Sequence, residues 1–113
     1  MLAKKHKISN RKLIPKIINN GKSLNTSLFV IKYLYNQEEI SHFGVVTSQK
    51  ISKKAVERNK IRRRIFEAIR LYIKENPKHS KNINAVILTK KSTLNTDYKT
   101  MYDTISNSLS KIL

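Results

Sequence analysis

Arg58, Arg62, Arg63, Arg64 and Arg70 are five of the six arginines in a chain of 113 residues. Elsewhere the positive charge is carried by lysine. The two cations differ chemically: guanidinium is a planar fork of N–H donors that grips phosphate oxygens in pairs, whereas ammonium is a hydrated point charge. Sorting them in this way concentrates phosphate-reading chemistry in the stretch from Ala55 to Ala68, where Asn59 and Lys60 stand among the arginines. Asn59 adds an uncharged donor and acceptor suited to a phosphate, a 2′-hydroxyl or a helix-end carbonyl. On a helix, Arg62–Arg63–Arg64 spread three like charges around one turn, just after Arg58 and Lys60. Their repulsion is relieved when a polyanion neutralises them, and contact with about six phosphates implies a log–log salt slope on the order of five. The plain alternative for any charge run is a solvated face.

No other constellation supports autonomous chemistry. His6, His42 and His79 lie in unrelated settings, without a second histidine or a carboxylate at metal-ligand spacing. Of the few acids, Glu38 and Glu39 fall in a turn, while Glu57 and Glu67 lie among arginines as surface ion-pair partners. No serine sits in a nucleophile-elbow pattern, and with only Gly21 and Gly44 there is no phosphate loop. The expectation is a protein with no catalytic residue, no metal ligand and no cofactor of its own.

The chain as a whole points the same way. Lysine and arginine number 24 against 7 acids, a net charge of +17, and a field of that size gathers polyanions. Nucleic acid and the anionic membrane face are the common ones. No apolar run approaches spanning length, and the basic N-terminus Met1–Lys7 has no hydrophobic segment behind it, so no membrane partner is expected. The absence of cysteine excludes a disulfide framework and a thiol nucleophile and fits a reducing, cytoplasmic setting. The length fits one domain over residues 1–113, with residues 1–9 as a basic, flexible arm.

These side chains need a scaffold. Leu13, Ile14, Ile17 and Ile18 predict a helix over 11–20 that Gly21 can close, with Pro15 fitting only near its start or at a bend. Leu28–Tyr35 is a strand, and Asn36–Glu39 connects it to a second arm of a hairpin over His42–Ser48. A short strand near Ser23 could pair alongside. Residues 55–74 form the strongest helix, with Ile61, Ile65, Ala68, Ile69 and Tyr72 as its buried stripe and Asn59, Lys60, Arg63, Glu67 and Arg70 pointing away. Arg58 and Arg62 lie on the apolar side by phase. Either the first turn overhangs the sheet and they reach past its edge, or they snorkel around the core rim. Pro77 ends the helix; Ala85–Thr89 is a strand covered on both faces; Thr96 or Asp97 caps a last helix carrying Tyr98, Met101, Ile105, Leu109 and Ile112. This order predicts an α+β fold, a two-layer sandwich of a small sheet with helices. A helix flanked by strands, with no heptad partner, favours RNA over a DNA-reading layout.

The run Ala55–Val56–Glu57–Arg58–Asn59–Lys60–Ile61–Arg62–Arg63, followed by Glu67–Ala68, resembles the signature helix of the bacterial ribonuclease P protein component. Phe43–Gly44–Val45–Val46–Thr47–Ser48–Gln49–Lys50 resembles the strand leading into that helix, Asn20–Gly21–Lys22–Ser23 its helix-to-strand turn, and Ala85–Val86–Ile87–Leu88–Thr89–Lys90 its late strand. The resemblance implies a mixed sheet of the ribosomal protein S5 domain 2-like type with a left-handed strand–helix–strand crossover. It implies an RNA-binding subunit that assists a catalytic ribonuclease P RNA in removing the 5′ leader of precursor transfer RNA. Cleavage and its magnesium ions would belong to the RNA, and no obligate protein partner is evident. Arg58, Asn59, Lys60, Arg62, Arg63 and Arg64, with Lys50, Lys53 and Lys54, would contact RNA. Ile14, Ile18, Val30 and Lys32 would line a leader cleft between the first helix and the sheet.

The chain departs from the family pattern at several positions. Lys60 and Phe66 stand where the motif carries arginines, and one extra residue lies in Ser48–Lys54. The cleft positions, often aromatic in the family, are Ile14, Ile18 and Lys32 here, and the two isoleucines can equally be plain core residues. An aliphatic cleft forgoes base stacking of roughly 1–3 kcal/mol per base. Tyr33 and Tyr35 alternate with Lys32 and so face the other side of the strand. Two other readings remain at this point: a ribosomal or other structural RNA-binding protein of similar topology, and a DNA-compacting basic protein.

Overall fold

A computed structural model of the chain describes residues 4–8, 11–77 and 81–113. A 3-10 turn at Lys4–His6 precedes helix α1 (Leu13–Asn20) and strands β1 (Lys22–Asn25), β2 (Phe29–Asn36) and β3 (His42–Val46). Helix α2 (Ala55–Glu75), strand β4 (Asn82–Thr89), a 3-10 turn at Lys91–Asn95 and helix α3 (Tyr98–Ile112) follow. The strands form one mixed sheet in the order β1-β2-β4-β3, antiparallel except for the β3–β4 pair. Helix α2 joins those two parallel strands, giving the strand–helix–strand crossover of an α+β fold.

The main core lies where α2 and α3 cover one face of the sheet. Phe29 and Ile31 of β2, Phe43 of β3, and Ile83, Ala85 and Ile87 of β4 meet the five-residue stripe of α2 (Ile61, Ile65, Ala68, Ile69, Tyr72). Met101, Ile105, Leu109 and Ile112 of α3 complete it. The alternation along β2 sends Val30, Lys32 and Leu34 to the opposite face, which α1 crosses over β2 and β4. Ile17 is the buried anchor of α1. Asp97 caps α3, its carboxylate accepting the Thr100 N–H at 2.9 Å, and hydrogen bonding from the Thr100 side chain, then from this N–H, favours the ionised acid and holds its pKa below the ordinary value.

The expected hairpin between β2 and β3 does not form. Strand β4 lies between them, and β2 has its hairpin partner in β1. The physical reason is the composition of β4: Ile83, Ala85, Val86 and Ile87 are all buried, which demands a central strand. The connection after β2 therefore passes the start of β4 and is tied there: Asn82 Nδ2 donates to the Glu38 carbonyl (2.9 Å), and the Ile83 N–H donates to Ser41 Oγ (2.9 Å).

Gly21 follows α1, its N–H donating to the Ile17 carbonyl at 2.8 Å. Its backbone is extended. Glycine serves close approach here: a Cβ would lie 2.5 Å from the Ile17 oxygen and 3.0 Å from the Tyr33 oxygen. The stretch expected to be a flexible arm is, over Lys4–Ile8, seated along β3. Lys7 bridges Phe43 in parallel, the Ile8 N–H donates to the Phe43 carbonyl at 2.9 Å, and His6 Nδ1 lies 3.0 Å from the Ser41 carbonyl. Residues 1–3 and 9 lie outside the described residues.

Candidate nucleic-acid interface

Helix α2 is entered through a turn organised by Ser52. Its hydroxyl donates to Glu57 Oε1 (2.7 Å) and accepts the Lys54 N–H (3.1 Å), while its carbonyl accepts from Arg58 Nη1 (2.8 Å). Glu57, expected to pair with an arginine, is thus held by a serine. Arg58 is fixed at the mouth of the helix through one of its five N–H donors, leaving the others for a ligand. Lys50, Lys53 and Lys54 are all exposed on this approach. Cations here oppose the positive end of the helix dipole, an arrangement that a bound anion relieves.

Asn59, Lys60 and Arg63 are exposed, and Arg58, Arg62 and Arg64 are half-buried. Asn59 Oδ1 accepts from Arg62 Nη2, which orients that guanidinium along the helix surface. Among the described residues, no carboxylate forms a salt bridge with Arg58, Arg62, Arg63 or Arg64. Arg63 forms a ridge between two grooves. One is lined by Lys7, Val56, Asn59, Arg62 and Phe66; the other, toward α3, by Lys60, Arg64, Glu67 and Tyr98. The nine residues expected to bind RNA therefore lie on α2 and the turn that enters it.

The seated N-terminal segment adds a cation that the sequence reading missed. Lys7 Nζ lies 4.7 Å from the centroid of Phe66, so positive charge stands over the position where the family motif has arginine. Arg64 lines the other groove, toward α3. No sequence signal gave Lys7 away, because its bridge to Phe43 spans the chain between them.

Further along α2 the electrostatics change. Arg70 is paired with Glu67, Nη2 to Oε1 at 2.5 Å and Nε to Oε2 at 3.1 Å. Hydrogen bonding from Arg70 pulls the Glu67 carboxyl down to about 2.

On the sheet face under α1, Val30 lies between Asn25 of β1 and Leu88 of β4, with Val46 of β3 beside Leu88. One row along, Lys32 lies between Ser23 and Val86, and its ammonium donates to Ser23 Oγ. A Cβ on Gly44 would stand 3.3 Å from Ile8 Cδ1 and 3.9 Å from Ile14 Cδ1, so both isoleucines overlie this glycine. Ile14 and Ile18 are half-buried, unlike Ile17. The four residues expected in a cleft thus belong to α1 and to the sheet face it crosses. Val46, Leu88 and Gly44 extend the same floor and were missed, although their alternation with buried neighbours on β3 and β4 marks their side.

Among the described residues no group of three His, Asp or Glu is placed to hold a metal ion, and no helix is long and apolar enough to cross a membrane. His42 does have a carboxylate neighbour, Glu38 at 3.6 Å, but only that one. His79 lies outside the described residues.

A sequence model of the Ribonuclease P family matches residues 2–113. The ribonuclease P protein component of Mycoplasma mycoides is 34% identical over 112 residues, spanning 94% of this chain and 96% of that protein. Its counterpart from Clostridium botulinum is 32% identical over 108 residues, spanning 96% and 95%. The solved structure of the RNase P protein from Thermotoga maritima superimposes with a TM-score of 0.76 at 26% identity, covering 95% of this chain and 97% of that one. A match of this extent, on a fold that presents an arginine-rich crossover helix, decides the matter: the chain belongs to the ribonuclease P protein family, the RNA-binding protein component of the enzyme that matures the 5′ end of transfer RNA.

Proposed function

We propose that the first half of α2 and its entry turn grip the catalytic RNA subunit, and that the sheet face under α1 holds the 5′ leader of precursor transfer RNA. Arg58, Arg62 and Arg63 supply paired donors to phosphates, Lys50, Lys53, Lys54, Lys60 and Arg64 supply charge, and Asn59 orients Arg62. The observation that carries this reading is the set of four arginines on one rigid helix without a carboxylate partner among the described residues. Val30 gives the leader an aliphatic floor, Lys32 gives it a charge, and Ile14 and Ile18 form the wall. Magnesium in the RNA subunit supplies the hydrolytic chemistry; the residues of this chain bind, orient and screen charge.

Purified protein is expected to stimulate leader removal by ribonuclease P RNA strongly at low magnesium, where phosphate repulsion between ribozyme and substrate is least screened. A protein of ribosomal role would leave that reaction unchanged and co-sediment with ribosomal subunits. A DNA compactor would prefer duplex DNA to structured RNA at equal salt.

A further inference from the structure

Tyr35 lies near the far end of β2 from the entry to α2, on the sheet face opposite the proposed leader cleft. Among the described residues Tyr35 and Val56 are the large apolar side chains left exposed, Tyr35 at 42%. Its ring is nevertheless fixed. The hydroxyl donates to the Ile112 carbonyl at 3.2 Å, and Tyr33 meets the ring edge-to-face at 5.7 Å between centroids. Lysines approach from both sides of β2: Lys22 of β1 brings Nζ to 5.3 Å from the ring centroid and Lys81, just before β4, to 4.9 Å.

Beside the ring is a groove of about 360 Å³ walled by Tyr35, Gln37 and Lys81 together with Asn36, Glu38 and Asn82, within the size range of small-ligand sites. Asn36 donates to Asn84 and to the Ile40 carbonyl and accepts the Glu38 N–H. The Gln37 amide has no partner among the described residues. A rigid aromatic plate, two ammoniums and an unengaged amide are the parts from which single-strand nucleotide sites are built: stacking for the base, cations for the flanking phosphates, an amide for the base edge. The two lysines repel each other across one ring, and a phosphate between neighbouring nucleotides would relieve that repulsion while a base displaces one ammonium from the ring.

We infer that Tyr35, Lys22 and Lys81 form a second single-stranded RNA contact, which stacks an unpaired base on the Tyr35 ring. It is separate from the α2 interface in residues and in position along the strands, and from the proposed leader cleft in sheet face.

The test uses the full-length protein and a ten-nucleotide oligouridylate bearing 5-iodouridine. Irradiation is expected to cross-link the RNA to Tyr35, and Tyr35→Ala to lower oligonucleotide affinity about fivefold to a hundredfold, the range for loss of one base stack. Tyr35→Phe keeps the ring and the affinity. Lys22→Ala with Lys81→Ala, both at exposed positions, is expected to reduce the salt slope by about 1.4 even if Tyr35→Ala proves unstable. Cross-links confined to α2 or the α1 face, or a lysine pair variant with the wild-type salt slope, would overturn the inference. The Arg58→Ala, Arg62→Ala variant is run in parallel. It is expected to lose the RNA subunit and keep the Tyr35 cross-link, so failure here and failure of the proposed α2 interface read out differently.

Discussion

The two halves of α2 use the same residue types to opposite ends. From Ala55 to Arg64 the helix carries Arg58, Arg62, Arg63 and Arg64 with no acid in salt-bridge reach among the described residues. From Ile65 to Glu75 the one arginine is spent inside the molecule: Arg70 holds Glu67 at 2.5 Å, while Glu75 accepts from the Tyr102 hydroxyl at 2.7 Å. That last bond raises the Tyr102 phenol to about 12. The second half is electrostatically closed and serves the packing of α2 on α3. The first half is open and serves a partner. One rigid rod thus separates an inward from an outward task without any change of secondary structure, and an arginine on this helix is informative only once its neighbours are known.

The largest expected effect tests the open half. Arg58→Ala with Arg62→Ala should weaken binding to ribonuclease P RNA by roughly a hundredfold or more, since hydrogen bonds to charged groups contribute about 1.5–3 kcal/mol each. The salt slope should fall by about 1.8, while the thermal midpoint stays close to wild type. Unfolding of that variant would assign these arginines to the scaffold and erase the contrast between the halves. Ile65→Ala probes the stripe that both halves share. Ile65 is fully buried, so truncation should destabilise the fold by about 2–5 kcal/mol in denaturant melts. RNA affinity measured well below the midpoint should stay within a few-fold of wild type.

Smaller effects sharpen the closed half. Arg70→Ala should change RNA affinity by less than about threefold, because that guanidinium is already engaged and exposed pairs are worth little. The same substitution should alter the acid limb of stability. The Glu67 carboxyl titrates at about 2 in the fold against an ordinary value of 4.5. Its contribution is therefore fully present above about 4.5 and is lost as pH falls through about 2. Removing Arg70 should shrink that contribution, flattening the pH dependence between those limits in melts taken at low ionic strength. An unchanged acid limb would show that the pair does not hold in solution. The smallest effect is expected for Ser52→Ala, which removes the hydroxyl between Glu57 and the Lys54 N–H but leaves the carbonyl that holds Arg58. A loss of only a few-fold in RNA affinity should follow.

Much of this was legible locally. The stripe Ile61–Ile65–Ala68–Ile69–Tyr72 follows from helical periodicity alone, and the start of the last helix was narrowed to a cap at Thr96 or Asp97, between which the bond to the Thr100 N–H decides for Asp97. Apolar β4 announced a strand buried on both faces. The failures share one feature, reliance on local information. The β2–β3 hairpin and the pairing of Glu57 with arginine were inferred from nearness along the chain, and the flexible arm over residues 1–9 from its local basic composition. Each was overruled by a partner elsewhere or by a different near neighbour: β4 for the two strands, Phe43 for Lys7, Ser52 for Glu57.

The amino-acid sequence by itself determined which side chains could read phosphate, which segments were helix or strand, and which faces had to be buried, because those properties depend on residue type and on periods of two and 3.6 residues. Tertiary structure decided the strand order, the seating of Lys7 over Phe66, the row Val30–Leu88–Val46 and the isolation of Tyr35 between two lysines. These depend on which strand takes the centre of the sheet, a competition among distant segments for buried area that no local period records.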